Sequence, residues 1–208
     1  MLDRPVRALI ARPVDALARA VDRPGITPDG LTLLGLALGL GSAVAAGFQL
    51  WALALVLWLS SRVIDGLDGA LARRRKAEGR GGESEAGGFL DITADFAAYG
   101  ATVVGVAFGA AAAFDAPWWP FLLVLLAYYL NGAAFLAFSS IAERTGRRID
   151  DGRSLSFLGR IAEGTETIIV HSLWLIVPFW AAPIAVVWAV IVAVSAVQRM
   201  VVGYRALR

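Results

Sequence analysis

The stretch Arg62-Val63-Ile64-Asp65-Gly66-Leu67-Asp68-Gly69-Ala70-Leu71-Ala72-Arg73, answered at residues 87–95 by Gly87-Gly88-Phe89-Leu90-Asp91-Ile92-Thr93-Ala94-Asp95, decides how this chain is read. Both pieces sit in segments apolar enough to be membrane helices, yet together they carry Asp65, Asp68, Asp91 and Asp95. On a helix, residues three or four apart share a face, so Asp65 pairs with Asp68 and Asp91 with Asp95. Two such helices facing one another pool all four acids. A carboxylate in hydrocarbon costs about 2.5 to 3.5 kcal/mol on insertion scales, so four of them demand cations or a water-filled cavity. The cluster is therefore read as a functional site.

The surrounding composition is that of a membrane protein. Hydrophobic residues make up 58% of the chain and mean hydropathy is +0.68, against about 45–50% apolar residues in soluble domains. Residues 1–208 are read as one all-α integral membrane domain. Apolar runs of spanning length, about 20 residues for a 30 Å core, fall near 30–49, 51–72, 88–112, 118–142, 164–181 and 183–203. They predict six transmembrane helices within 28–204. Ahead of them, in 1–25, Val6, Leu9, Ile10, Val14, Leu17 and Val21 recur at helical spacing among Arg7, Arg12, Arg19 and Arg23. That pattern predicts an amphipathic helix on the membrane surface, and its interleaved charges argue against a signal peptide. Cysteine is absent, which excludes disulfides, thiolate metal sites and cysteine nucleophiles.

Charge sets the expected orientation. Eighteen of nineteen Lys and Arg lie before residue 25, in 73–80, in 144–160 or at the C-terminal end, while Arg62 alone is inside the second segment. The opposite turns, near 48–50, 113–117 and 178–183, carry only Asp115. By the positive-inside rule both termini and the basic loops are cytoplasmic, a face suited to anionic lipid; nucleic acid is not needed to explain it. Gly79 to Gly88 reads as a flexible loop. Trp51, Trp118, Trp119, Trp174, Trp180 and Trp188 read as a belt at the far interface.

Positions 65, 68, 69, 72 and 73 form one helical stripe. Asp65 lies about 12 Å deeper than Arg73 at 1.5 Å per residue, so the site opens toward the cytoplasmic interface. Gly69 and Ala72 leave a groove along the backbone where a flat, bulky group fits, with Arg73 beside it to neutralise phosphate. The donors are all oxygen, with neither Cys nor a nearby His, so a hard divalent ion, Mg2+ or Mn2+, suits them better than zinc. A transporter moving ions or protons past the same acids is the competing reading. It accounts for isolated acids but not for Gly69, Ala72 and Arg73 at these offsets.

The motif Asp65, Asp68, Gly69, Ala72, Arg73, Gly87, Asp91, Asp95 resembles the signature of the CDP-alcohol phosphotransferases, membrane enzymes of phospholipid synthesis. Every fixed position is filled. The likeness extends to Thr27-Pro28 and Leu31-Thr32 at the first helix, and departs at Asp29, where many members have Asn, and in the longer spacer 74–86. The resemblance implies that Asp65, Asp68 and Asp91 bind one or two divalent ions, with Asp95 as ligand or general base. It implies that Asp68, Gly69, Ala72 and Arg73 hold the CDP part of the donor, that CMP is released, and that the enzyme forms a homodimer in a bacterial cytoplasmic membrane. CDP-diacylglycerol is the favoured donor and an alcohol the acceptor; the runner-up is transfer of a small phospho-alcohol from its CDP derivative to a lipid hydroxyl.

Further candidates are weighed against simpler roles. Arg62 is expected to be a buried ion-pair partner orienting Asp65, and His171, the sole histidine, a core hydrogen-bonding residue. Glu163, Glu166 and Thr167 either cap the fifth helix or touch the acceptor. Thr32, Arg147 and Arg148 are weaker site candidates. Relatives that take phosphorylated acceptors carry basic residues on the inner face of the fourth helix, where this chain has Ser139 and Ser140. That predicts an acceptor without a phosphate monoester.

Overall fold

The computed structural model of the chain describes residues 13–82, 84–145 and 164–208. Val6, Leu9, Ile10, Arg7, Arg12, Arg147, Arg148, Arg153, Arg160 and Glu163 lie outside these residues. Among the described residues the regular structure is entirely helical. A short helical stretch at 13–21 precedes α1 (Pro28–Gly47), α2 (Trp51–Ala77), α3 (Glu85–Phe114), α4 (Trp119–Thr145), α5 (Gly164–Ile176) and α6 (Ala181–Leu207).

The helix ends follow from local chemistry. Thr27 caps α1 by accepting from the Gly30 amide at 3.0 Å, and Pro28, whose missing N–H is no loss in a first turn, starts the helix. Ser84 caps α3 through the Gly87 amide at 2.9 Å. Arg74, Arg75 and Lys76 fill the last turn of α2, where cations complement the helix dipole. The expected glycine loop is thus shorter than read from sequence. Gly79, Gly81 and Gly82 turn with φ of 67°, 76° and 122°, whereas Gly87 and Gly88 belong to α3. The fifth helix also stops early, at Ile176, because Pro178 cannot continue it and opens a 3-10 turn, Pro178–Trp180.

Among the described residues, four segments are long and apolar enough to cross a membrane: α1, α3, α4 and Pro178–Leu207. α2 is interrupted by Arg62, Asp65 and Asp68, and α5 has 13 described residues. On α6, Val187, Val190, Val194 and Val197 are each more than half exposed. An apolar stripe of that kind suits lipid rather than water.

Close backbone packing holds α1 against both acid-bearing helices. A Cβ on Gly105 of α3 would lie 2.1 Å from the Ala43 carbonyl oxygen of α1, and one on Gly109 2.1 Å from that of Ala46. Small residues let helix backbones meet in this way, and polar side chains then join them. Ser61 of α2 donates to the Gly35 carbonyl and Ser42 of α1 to the Ala54 carbonyl, both at 2.7 Å. The core itself gathers Trp58, Val103, Val106, Phe121, Val124, Trp174, Trp188 and Val192.

Two expectations are corrected by this packing. Trp174 and Trp188 are core residues at 0% and 3% exposure, not members of an interfacial belt. Arg199, counted among the C-terminal cations, is buried in α6 with its guanidinium 5.5 Å from the Phe135 ring centroid. His171 is buried as expected and hydrogen-bonds Tyr128 at 2.9 Å, which also accepts from Trp188 at 2.7 Å.

Just before α1, Asp22 gathers Arg74, Arg75 and Arg80, at 3.3, 2.8 and 2.5 Å. Hydrogen bonds, first from Arg80 and then from Arg75, hold its carboxyl well below the usual carboxylate range. Arg80, bonded to Asp22 and Glu78, is held above its ordinary value. The N-terminal segment is thereby tied to the basic end of α2.

Candidate active site

The helical stripe on α2 and the first turns of α3 meet as the spacing predicts. Carboxylate oxygens of Asp65, Asp68 and Asp91 all lie within 4.8 Å of one another. Asp68 is the most buried of them, at 6% exposure. It accepts the Thr32 hydroxyl from α1 and the Gly69 amide from its own helix. Thr32 therefore enters the site by fixing one acid of the cluster.

Asp95 stands outside this group of three. Its carboxylate meets Arg62 Nη1 at 2.5 Å, while Asp65 lies 3.7 Å from the same nitrogen. Arg62 is the buried ion-pair partner of Asp65 that the sequence leads one to expect, and it makes a second, shorter pair with Asp95. Asp65 lies three residues on along the same helix, whereas Asp95 is on α3, so the buried Arg62 reaches across from α2 to α3. Arg62 is further held by Ser61 Oγ at 2.9 Å and Tyr99 Oη at 3.3 Å, and its guanidinium lies 5.0 Å from the Trp58 ring centroid.

A cavity of about 850 Å³ opens beside the triad. Its wall is built from Thr32, Asp68, Gly69, Ala72 and Arg73 on one side and Gly87 and Asp91 on the other, with Ser139, Ser140 and Glu143 of α4. Asp65, Asp95 and Arg62 are not part of that wall. Their burial is incomplete all the same, since the Asp65 and Asp95 side chains are 26% and 32% exposed. Gly69 matters for space: a Cβ there would come within 3.1 Å of Arg73 Nη1, so the bare backbone lets the guanidinium fold back along the groove.

The cavity also exposes Asp29, noted above only as a departure from the family pattern, and residues that sequence reasoning passed over, notably Lys76, Phe89 and Thr93. Lys76 could have been found three residues past Arg73 on the same helical face. Phe89 and Thr93 carry no such signal. Glu166 starts α5, and its Oε2 is buried.

The donor set fits a hard divalent ion. An octahedral Mg2+ with bonds of about 2.1 Å spaces its ligands about 3.0 Å apart in cis and 4.2 Å in trans. Three oxygens within 4.8 Å reach that spacing by small side-chain adjustments. The ligands are carboxylates from two helices, the chemistry that Mg2+ and Mn2+ favour.

Comparison with known proteins agrees with this geometry. Residues 25–195 match the CDP-alcohol phosphatidyltransferase family. The inner membrane protein YnjF of Escherichia coli is 36% identical over 214 residues, covering all of this chain and 98% of that protein. Archaetidylinositol phosphate synthase of Pyrococcus horikoshii is 31% identical over 69% of this chain and 76% of its own length. Among solved structures, the phosphatidylinositol phosphate synthase of Mycobacterium tuberculosis with CDP-DAG bound superposes with a TM-score of 0.64 at 25% identity, covering 94% of this chain and 92% of that one. The same enzyme crystallised with manganese and citrate gives 0.66 at 24% identity, over 93% and 88% of the two chains. By the family match over most of its length, this chain belongs to the CDP-alcohol phosphatidyltransferase family and is a membrane-associated CDP-alcohol phosphotransferase of phospholipid synthesis.

Proposed function

We propose that this protein transfers a phosphatidyl group from CDP-diacylglycerol to an alcohol and releases CMP. The observation that carries the reading is the convergence of Asp65, Asp68 and Asp91 beside a groove floored by Gly69 and flanked by Arg73. The relative solved with CDP-DAG bound supports the choice of donor.

In this reading Gly69 and Ala72 leave room for the cytidine and ribose, and Arg73 pairs with the diphosphate. Asp65, Asp68 and Asp91 hold Mg2+ or Mn2+, which when bound neutralises the diphosphate and stabilises the departing CMP. Asp95 accepts the proton of the acceptor hydroxyl. The acceptor oxygen then bonds to the donor's phosphatidyl phosphorus, while the bond from that phosphorus to the CMP oxygen breaks. All six helices α1–α6 span the membrane as one domain within 28–204, after a surface helix in 1–25. Both termini and the cavity mouth face the cytoplasm, in keeping with the clustered cations, and the chain works as a homodimer.

The acceptor is an alcohol without a phosphate monoester. Among the described residues lining the cavity, the cations are Arg73 and Lys76, both on the donor side, and α4 contributes Ser139, Ser140 and Glu143. Labelled CDP-diacylglycerol supplied with a pool of free and phosphorylated alcohols, followed by mass spectrometry of the lipid product, tests this directly. Exclusive use of inositol phosphate or glycerol phosphate, with a KM that rises about tenfold or more in Arg147→Ala with Arg148→Ala, would overturn the acceptor assignment.

A further inference from the structure

Asp95 is the member of the acidic cluster that does not join the other three. Asp65, Asp68 and Asp91 converge within 4.8 Å, while the Asp95 carboxylate is drawn onto Arg62 at 2.5 Å. Arg62 is itself an unusual thing to find there: a guanidinium at 9% exposure in the middle of a helix. Its position is fixed from several sides. Ser61 Oγ lies 2.9 Å from Nη2 and Tyr99 Oη 3.3 Å from Nη1. The rings of Trp58 and Tyr99 lie 5.0 and 5.1 Å from its central carbon. A buried cation costs free energy unless paired, and a fork held this way gives its closest pairing to Asp95, with Asp65 farther off at 3.7 Å.

We infer that Arg62 is a positioning residue that keeps Asp95 out of the metal-ligand group, leaving its carboxylate for the acceptor's proton. The inference rests on the transferase reading above and deepens it. The physical reason is Coulombic. Four carboxylates near one site would all be drawn to a divalent ion, and a carboxylate bound to metal has given up the lone pairs that a base needs. A fixed cation held against Asp95 competes for it. The Asp95 side chain keeps 32% of its surface exposed, so pairing with Arg62 leaves it accessible to another molecule.

The test uses the full-length protein in detergent and two independent readouts, Mn2+ binding followed by electron paramagnetic resonance and steady-state CMP release. Arg62→Gln should lower kcat by about a hundredfold, the scale of a misplaced general base. Mn2+ affinity should stay equal or rise, and the donor KM should stay within about threefold. Arg62→Lys should recover at least about a tenth of wild-type kcat, since it restores the charge without the fork. On an Asp95→Asn background, Arg62→Gln should reduce kcat by less than about threefold more, because the group it positions is already gone. A kcat within about threefold of wild type for Arg62→Gln would overturn the inference. So would weakened Mn2+ binding, or a full hundredfold loss repeated on Asp95→Asn. If Arg62→Gln does not fold, Arg62→Lys decides on the same background. Its loss should vanish there, and persistence of that loss overturns the proposal. A wild-type protein that binds Mn2+ but releases no CMP would instead count against the transferase reading, and the Mn2+ spectra would still report on Arg62.

Discussion

Replacing Gly69 tests whether the groove on α2 is where the nucleotide lies. A Cβ added at this position meets Arg73 Nη1 at 3.1 Å, Cζ at 3.8 Å and Nη2 at 3.9 Å. In Gly69→Ala the contact is with the end of a flexible side chain, which can yield by a few tenths of an ångström. That variant should bind donor within about threefold of wild type, and it should be more stable, because Gly within a helix is about 1 kcal/mol worse than Ala. In Gly69→Leu the side chain extends well past Cβ into the space of the guanidinium and the cavity. Arg73 must leave, and the donor loses a charged hydrogen bond worth about 1.5–3 kcal/mol, or about tenfold to a hundredfold in affinity. Whatever part of the cytidine site the leucine fills is lost in addition. Isothermal titration of detergent-purified protein with CDP-linked donor in Mg2+ measures the loss, and a thermal melt checks that the fold is intact. On an Arg73→Ala background the added effect of Gly69→Leu should shrink, since part of it acts through that arginine. Unchanged affinity in a well-folded Gly69→Leu protein would refute the assignment of this groove to the nucleotide.

Four other substitutions have clear expected outcomes. Asp91→Asn, which removes one of three converging oxygens while keeping volume, should lower metal-dependent turnover by about three orders of magnitude, and kcat near wild type would remove Asp91 from the ligand set. Gly105→Val should destabilise the fold by about 3 kcal/mol or more, because a Cβ there would sit 2.1 Å from the Ala43 carbonyl oxygen. Gly100→Ala, with nothing within 4 Å, should raise the melting temperature; equal melting of the two variants would deny the close α1–α3 contact. Asp22 is held below its ordinary value in the folded chain, so its stabilising contribution is present above the unfolded value of about 3.9 and fades as pH falls below it. Asp22→Asn should speed tryptic cleavage at Arg74, Arg75 and Arg80 at neutral pH; identical digestion patterns there would show that the tether is unimportant.

Much of the site was legible because a carboxylate inside an apolar segment has few reasons to be there. The three- and four-residue spacings put Asp65 with Asp68 and Asp91 with Asp95 before any helix was seen, and Gly69 and Ala72 marked a groove by their lack of side chain. What the spacing could not show was the rotation of α2 against α3. Both helices pack on α1, through contacts such as Gly39 with Ala98 of α3 and Ser61 of α2, and Arg62 ends closer to Asp95 than to Asp65. Trp174 and Trp188 were misread for a related cause: a ring near the end of a span is equally apt for an interface or a core, and only the direction its helix presents separates the two. Arg199 was grouped with the terminal cations by its nearness to the chain end, yet it lies within the apolar run 183–203 and α6 turns its side chain inward against Phe135. The start of α3 was available in principle, since Ser84 ahead of an apolar run is an N-cap signal, but the neighbouring glycines outweighed it.

CMP release by the purified wild-type protein, supplied with CDP-diacylglycerol and a pool of alcohols, bears on everything above. With Mg2+ or Mn2+ present, CMP and a new phosphatidyl lipid should appear in equal amounts, and both should vanish with excess EDTA or in Asp91→Asn. Turnover that continues undiminished in EDTA, or a folded protein that binds donor and metal but yields neither product, would contradict the assignment of metal-dependent phosphatidyl transfer to the Asp65, Asp68 and Asp91 site.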